Sequence, residues 1–485
     1  MSRGFSITSL LLAAALPAFA QTNDLLRFSN GDQLHGSFQG ISEGPLLSWQ
    51  RDDLPAPVEF KPSQVRQIVL RGGRPEVGMP TLSNVVLVNG DKVAGNITSL
   101  DADFVTVDTS FAGALKFPRN SVAMLAPSPL GGRVLYQGPF SGDEWKVKSL
   151  ASPSEDEKPE WNFSGAAWYC KRGRTGAALV QEEGMPDRSV LRFNVAWKTR
   201  LSLAVAFHAD FTNPEEPGEK EDAGKAQGRR PGDASSYPWL FGNSYVLQIA
   251  SYVMLYRVGF DSDGSPIVEP IRSSNSNLSL GESGEATVEI RCSRDSGDLS
   301  LFVNDEFVSQ WSEGAGREDG ESYSGKGGGY GFAVQSDNTA VRISEIVLAE
   351  WNGMPDSARS LQTDDQDIVL LANGTDRFSG KVGALEDGKV LLDGKYGGFQ
   401  FPLDDIAEIR FAKNDLVEPT EAAGDHLSVR MRPLGKVSGQ PVSGDANSLK
   451  LVHPYAGQMT LDLSSAVILE FNPSNSFLDD WDEQF

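Results

Sequence analysis

The chain has 485 residues, 66 acidic against 43 basic side chains, and a formal net charge of −23. Its length allows several buried cores, so two to four domains are expected. So acidic a surface repels phosphate backbones, which excludes nucleic acid as a partner, and suits a protein kept soluble outside the cytoplasm; divalent cations or basic partners are the other readings.

Arg3 gives a basic start, residues 7–16 are apolar, and Ala18-Phe19-Ala20 fits a small-x-small cleavage site. Residues 1–20 therefore read as a signal peptide cleaved before Gln21, and a secreted or periplasmic location is expected. Removing Arg3 with it leaves 42 basic against 66 acidic residues, a charge of −24. No later run reaches about 18 apolar residues, so no membrane-spanning helix is expected. No cysteine closely follows the signal, which argues against a lipid anchor.

The next feature is a repeat. Residues 26–70, 85–125, 368–411 and 427–471 share a short strand, a glycine turn, a second strand and a final apolar run, preceded by a Phe-Pro step at Phe117-Pro118 and Phe401-Pro402 and by Phe60-Lys61-Pro62 in the first copy. The turn glycines are read as Gly36, Gly95, Gly380 and Gly439, 59 residues apart within each half. Asn30-Gly31-Asp32, Asn89-Gly90-Asp91 and Asn373-Gly374-Thr375 are positive-φ turn sequences, whereas the fourth copy has Arg432-Pro433-Leu434-Gly435. Phe60, Phe117 and Phe401 mark a later strand, with Leu461 in the fourth copy. The copies are placed at 21–74, 81–130, 364–415 and 424–473 and expected to pair, completing each other's sheets. They resemble SH3-like or Sm-like barrels, without the basic and Asn-bearing loops of Sm-type RNA binding.

Between them, 135–353 is rich in period-two alternation. Leu191, Phe193, Val195 and Trp197 share one strand face, as do Leu201, Leu203, Val205 and Phe207, and Tyr245, Leu247 and Ile249. Such alternation makes half-buried strands of antiparallel sheets. Glycine and proline punctuate these runs and no long amphipathic helix is evident. The chain is therefore expected to be all-β: a central two-sheet jelly-roll sandwich flanked on each side by a pair of small bent barrels. Leu301-Phe302-Val303-Asn304, Gly331-Phe332-Ala333-Val334-Gln335-Ser336 and Val341-Arg342-Ile343-Ser344-Glu345-Ile346 make this centre similar to the concanavalin A-like lectin/glucanase (LamG-like) sandwiches, especially the 3-keto-disaccharide hydrolase-like domains. Asp305 and Ser344 depart from the glycine and asparagine frequent in that family. The resemblance implies a fold and no catalytic residues.

Two insertions, 213–236 and 312–329, are charge- and glycine-rich and read as loops. Cys170 and Cys292 are the only cysteines; a disulfide between them would close a long loop and contribute on the order of 4–5 kcal/mol, and two buried thiols are the alternative. The tail 474–485 places Phe477, Leu478, Trp481 and Phe485 among acidic residues, either a disordered end or an apolar hook onto a neighbouring domain.

Motif matches are weak. Gly320–Lys326 spells most of a P-loop but lacks the magnesium hydroxyl and a following helix. Gly40-Ile41-Ser42-Glu43-Gly44 matches a nucleophile elbow but lies in a repeat. Asp261-Ser262-Asp263-Gly264 reads as a hairpin turn before a calcium site. Four histidines are scattered, so no metal site and no cofactor are expected. No Glu-x-Asp-x-x-Glu string of retaining glucanases occurs; Asp210, Glu269 and Glu289 are candidates for carboxylates assembled from separate strands. Sugar recognition needs only ring faces and polar groups. The aromatic cluster Tyr237-Pro238-Trp239-Leu240-Phe241 supplies Trp239 and Tyr237 as candidate ligand-binding residues, joined by Tyr252, Tyr256 and Trp168, with core packing the alternative for all. The expected function is non-catalytic recognition of extracellular or cell-envelope carbohydrate by the centre, with the barrels as scaffold or contacts to other envelope proteins. A carbohydrate hydrolase or lyase, or a structural envelope component, are the alternatives.

Overall fold

The structure is a computed structural model that describes residues 24–79, 83–129, 133–150, 161–164, 166–171, 176–214, 232–271, 278–313, 325–336, 339–351, 363–373, 376–420, 425–432, 434–473 and 481. The signal-peptide reading, the P-loop-like string up to Ser324 and the greater part of both insertions lie outside the described residues.

All four copies follow one strand plan. In unit 1, Asp24–Phe28 pairs with Gln33–Ile41 on one side and with the last strand, Val65–Val69, on the other. Asn84–Leu87 of unit 2 bridges Lys92–Ala94 and Val122–Ala126. Asp367–Leu371 of unit 3 and Leu427–Met431 of unit 4 each bridge their second and last strands likewise. A one-turn 3-10 helix precedes each last strand, as at Pro62–Gln64 and Leu463–Ser465. Gly31 and Gly90 adopt φ of +90° and +82° in the Asn-Gly-Asp turns. Gly36, Gly95, Gly380 and Gly439 are not turn residues, however. Gly36, Gly380 and Gly439 lie within second strands, and Gly95 lies between two short ones. Their missing side chains let a neighbouring strand's carbonyl approach: a Cβ would meet Asp108 O at 2.6 Å from Gly95 and Val452 O at 2.6 Å from Gly439, and would press on Gln50 O and Asp393 O at the other two.

The units associate across the centre. The last strands of units 1 and 4 pair, Ile68 opposite Leu469, and those of units 2 and 3 pair, Leu125 opposite Ile409. Apolar side chains of all four units form one cluster, including Trp49, Phe117, Val390 and Leu451. Burying this shared core is what a single 45-residue unit could not do alone.

The centre is a two-sheet antiparallel sandwich. The first sheet runs Trp161–Ser164, Ala167–Cys170, Val341–Glu350, Arg188–Trp197, Gly284–Ser293, Asp298–Val303 and Glu306–Ser312, with Val134–Gly138 also paired to Val341–Glu350. The second runs Lys146–Ser149, Ala177–Gln181, Gly329–Val334, Leu203–Ala209, Ser244–Ile249, Val253–Phe260 and Pro266–Ile271. Leu191, Phe193, Val195, Val205, Phe207, Leu247 and Phe332 meet between them. The alternation predicts half-buried strands, yet Leu203–Ala209 is buried at every position. Both sheets have covered outer faces. Units 2 and 4 and the segment around Leu434 lie against the first, where Leu434 packs on Val190, Val347 and Ala349, and a short helix covers much of the second.

Both cysteines are buried free thiols. Cys170 stands opposite Val341, and Ser189, which faces Cys292, stands opposite Glu350, nine positions along the same strand. That offset is roughly 30 Å, far beyond the Cα separation a disulfide spans. The bridge reading is thereby corrected. In the tail, Trp481 is 3% exposed. It packs edge-on against Tyr169 at 5.6 Å beneath the Lys198 ammonium, so this residue hooks onto the sandwich.

Candidate functional site

The outer face of the second sheet carries the Tyr237–Phe241 segment that the sequence singles out. Along it Ala178, Ala204, Ala206 and Ala333 leave a shallow floor. The Tyr237–Phe241 helix settles into that floor, pressing Tyr237, Leu240 and Phe241 onto the alanines, Val246 and Val258. Asp233 caps the preceding turn by accepting from Ser235 N at 3.1 Å, and Gly242, at φ +68°, ends the helix. Asp210 anchors the exit, accepting from Asn243 N at 2.9 Å, Asn243 Nδ2 at 2.8 Å and Thr212 N at 2.9 Å. This part of the face is closed by packed side chains.

The five aromatic candidates are therefore divided. Tyr237 is fully buried and sits edge-to-face on Tyr256 at 5.7 Å. Trp239 is half-buried against Phe260, ring centroids 4.9 Å apart. Trp168 lies in the core of the sandwich, on the other sheet, and does not join them. Tyr256 donates from its hydroxyl to Gln248 Oε1 at 3.2 Å. Tyr252, 41% exposed, lies at the open end of the sheet.

At that open end is a cleft of about 490 Å³, lined by Arg200, Ser202, Gln248, Ser251, Tyr252, Ser336 and Thr339 among others. Thr339 Oγ1 donates to Arg200 O at 2.7 Å, fixing its rim. Gln335 N donates to Ser202 O at 3.0 Å, which sets Gln335 beside the cleft. The enclosed Gln335 Oε1 and Tyr237 hydroxyl make no hydrogen bond among the described residues. Burial drives the Tyr237 phenol far above its ordinary value, so it stays a neutral donor. The cleft thus combines amide, hydroxyl and guanidinium groups with one exposed ring, and no carboxylate is among its described lining residues.

Of the three carboxylates considered for catalysis, Asp210 and Glu269 belong to the second sheet and Glu289 to the first, each with partners of its own. Asp210 holds the helix exit. Glu269 pairs with Arg257 Nη1 at 2.7 Å on the surface. Glu289, in the first sheet, bonds Arg192 at 2.9 Å and Arg291 at 2.8 Å. Asp261 Oδ1 accepts from Asp263 N and Ser265 N, making the tight hairpin expected there. Gln248 and Ser202 escaped the sequence reading, although the alternation of Tyr245, Leu247 and Ile249 already sends Gln248 outward.

No protein-family model matches the chain, and no curated protein does. Solved structures similar to it include a Bacillus subtilis protein of unknown function with a galectin-like fold, 13% identical over 45% of this chain and 96% of that one, TM-score 0.28. The carbohydrate binding module CBM66 from Bacillus subtilis is 10% identical over 43% and 96% of the two chains, TM-score 0.23. LamAcat from Zobellia galactanivorans is 8% identical over 44% and 94%, TM-score 0.26. At such values the likenesses carry no ligand and no activity over to this chain.

Proposed function

We propose that the chain is an exported, non-catalytic recognition protein whose sandwich binds carbohydrate in the cleft around Gln248 and Tyr252. The observation that carries this reading is the lining itself: the Gln248 side-chain amide and the hydroxyls of Ser202, Ser251, Ser336 and Thr339, from the loops at the strand ends, converge beside one exposed ring. A pyranose offers C–H faces to an aromatic ring and hydroxyls to such groups, and neutral sugars need no charge or metal to be held. The dispersal of Asp210, Glu269 and Glu289 favours recognition over hydrolysis, which needs two carboxylates across one bond. The four flanking units, barrels of SH3-like or Sm-like type in this reading, act as a rigid scaffold and contact surface for envelope proteins.

Glycan-array binding by the full-length protein tests this. Tyr252→Ala and Gln248→Ala should each weaken the strongest signal at least tenfold while the melting temperature stays within about 2 °C. A wild-type protein that binds no glycan on the array, but associates stably with envelope proteins, would leave the structural role in its place.

A further inference from the structure

A second cavity, partly open to solvent, lies where the outer face of the first sheet meets units 2 and 4. It has a volume of about 160 Å³ and is lined from the sandwich by Arg192, Asn194 and Glu345, and from the units by Lys92, Arg430 and Lys436. In a chain carrying −23, four cations around one small cavity are an anomaly. Two of them are neutralised locally. Arg192 Nη1 is shared between Glu289 Oε2 at 2.9 Å and Asp305 Oδ1 at 2.8 Å. Arg430 reaches Glu470 at 2.8 Å and Glu345 at 3.4 Å. Asp305 adopts φ +63° in its turn, next to Asn304 at +53°, and its carboxylate meets Arg192 there.

The two lysines make no such direct contact: among the described residues neither ammonium forms an ion pair or a side-chain hydrogen bond. They also face each other. The contact between Lys92–Ala94 of unit 2 and the long strand Gly435–Asp445 of unit 4 pairs Lys92 directly opposite Lys436. Like charges directly opposite on neighbouring strands weaken the pairing. Burial, and then the Arg192 guanidinium, push the Lys92 ammonium below its ordinary value, although Asp305 and Glu345 pull the other way. The join between units 2 and 4 therefore carries an unfavourable charge pair at the wall of a cavity.

We propose that this cavity binds a tetrahedral oxyanion, phosphate or sulfate, held between Lys92 and Lys436 and within reach of Arg430. A bound anion turns the repulsive pair into a bridged one and ties the sandwich to units 2 and 4. Its oxygens match the ammonium donors, which act as strongly hydrated point charges. Space equivalent to about five waters, at about 30 Å³ each, accommodates such an ion with part of its hydration shell. The oxyanion is either free or the terminal ester of a larger polymer.

The test uses the full-length protein in a phosphate- and sulfate-free buffer at fixed ionic strength in sodium chloride. Sodium phosphate and sodium sulfate are titrated by calorimetry and thermal shift, with phosphorylated and sulfated oligosaccharides in parallel. Saturable binding is expected, weakened at least tenfold by Lys92→Gln and by Lys436→Gln and retained by Lys92→Arg and Lys436→Arg. Without the anion Lys436→Gln should melt at or above the wild type, because the repulsion is relieved, and below it once the anion saturates. Tighter binding of the esters assigns the site to a polymer, and equal or weaker binding to the free ion. A response matched by chloride, or a Lys436→Gln deficit of the same size with and without anion, would overturn the proposal.

Discussion

Asp91 of unit 2 and His453 of unit 4 meet at 3.1 Å, and neither side chain reaches solvent. The N–H groups of Tyr455 and Ala456 both point at His453 Nδ1 from 3.1 Å, so that nitrogen carries no proton and Nε2–H donates to Asp91 Oδ2. Ser438 donates to the same carboxylate from Oγ at 2.6 Å and from its backbone N at 3.0 Å, and Asn89 Nδ2 adds a fourth bond at 2.9 Å. The three residue types of a hydrolytic triad are present, but the carboxylate stands in the middle and the serine never meets the imidazole. The cluster is a latch between units that lie 347 residues apart at Asp91 and Ser438.

Breaking that latch should cost more than an ordinary surface change. Asp91→Ala leaves three buried donors and one half-buried donor without an acceptor, and a loss of about 3–5 kcal/mol in urea unfolding is expected. Burial pulls the Asp91 carboxyl up, but the bonds from His453, Ser438 and Asn89 prevail and hold it below 3.8. The unfolded chain then takes up this proton first, so the contribution is complete above pH 3.8 and is lost as pH falls through the lower native value. Asp91→Asn should flatten the stability profile below pH 3.8; an unchanged profile would show that the carboxylate is not ionised in the native state.

The four marker glycines predict a contrast within one unit. A Cβ on Gly380 would press on the Asp393 carbonyl and the Gly394 backbone, whereas one on Gly398 meets nothing within 4 Å. Gly380→Ala should therefore lose about 1–3 kcal/mol through forced backbone shifts. Gly398→Ala should change stability by under about 0.5 kcal/mol, or raise it slightly through the unfolded chain. Equal melting temperatures for the two variants would mean the strand bend tolerates a side chain.

Much of this architecture was legible in the sequence because period-two burial and Asn-Gly-Asp turns are local signals. Leu191, Phe193 and Val195 announce a strand face whatever lies opposite. Which units pair is not local: Ile68 and Leu469 are both ordinary apolar residues, and nothing in either stretch names the other as its neighbour across the inserted sandwich. The site was legible only in part for the same reason. Tyr237 and Trp239 are aromatic in either role, and the deciding residues are the alanines at 178, 204, 206 and 333, whose small size makes room for the helix. Trp168 differs from an exposed platform only by the sheet it faces.

Trp481 offers a test of the C-terminal hook. Its ring is enclosed by Ala167, Tyr169, Ala196 and Ala340, and reaches the sandwich from beyond unit 4. Trp481→Ala should cost about 3 kcal/mol if the site collapses little, in keeping with buried aromatic truncations. The same variant should become more susceptible to proteolysis near the C-terminus. A deletion after Phe471 that unfolds at the wild-type urea midpoint would show that the contact carries no stability.

His208 predicts how the sandwich responds to mild acid. It is fully buried, holds φ +52°, and donates from Nε2 to Pro186 O at 2.9 Å. Burial pushes its imidazole down to about 4, with the Pro186 bond opposing only in part. The unfolded chain protonates near 6.5, so between pH 6.5 and 4 it binds the extra proton and stability declines as pH falls, by about 3 kcal/mol in all. Above pH 6.5 the term is constant. His426, half-buried, moves the same way and leaves a smaller slope behind. Asparagine tolerates this backbone conformation better than most residues, so His208→Asn is the variant to compare. Its urea midpoints at pH 4.5 and 7.5 should differ by clearly less than those of the wild type, and an equal difference would mean that His208 is already solvated or protonated in the native fold.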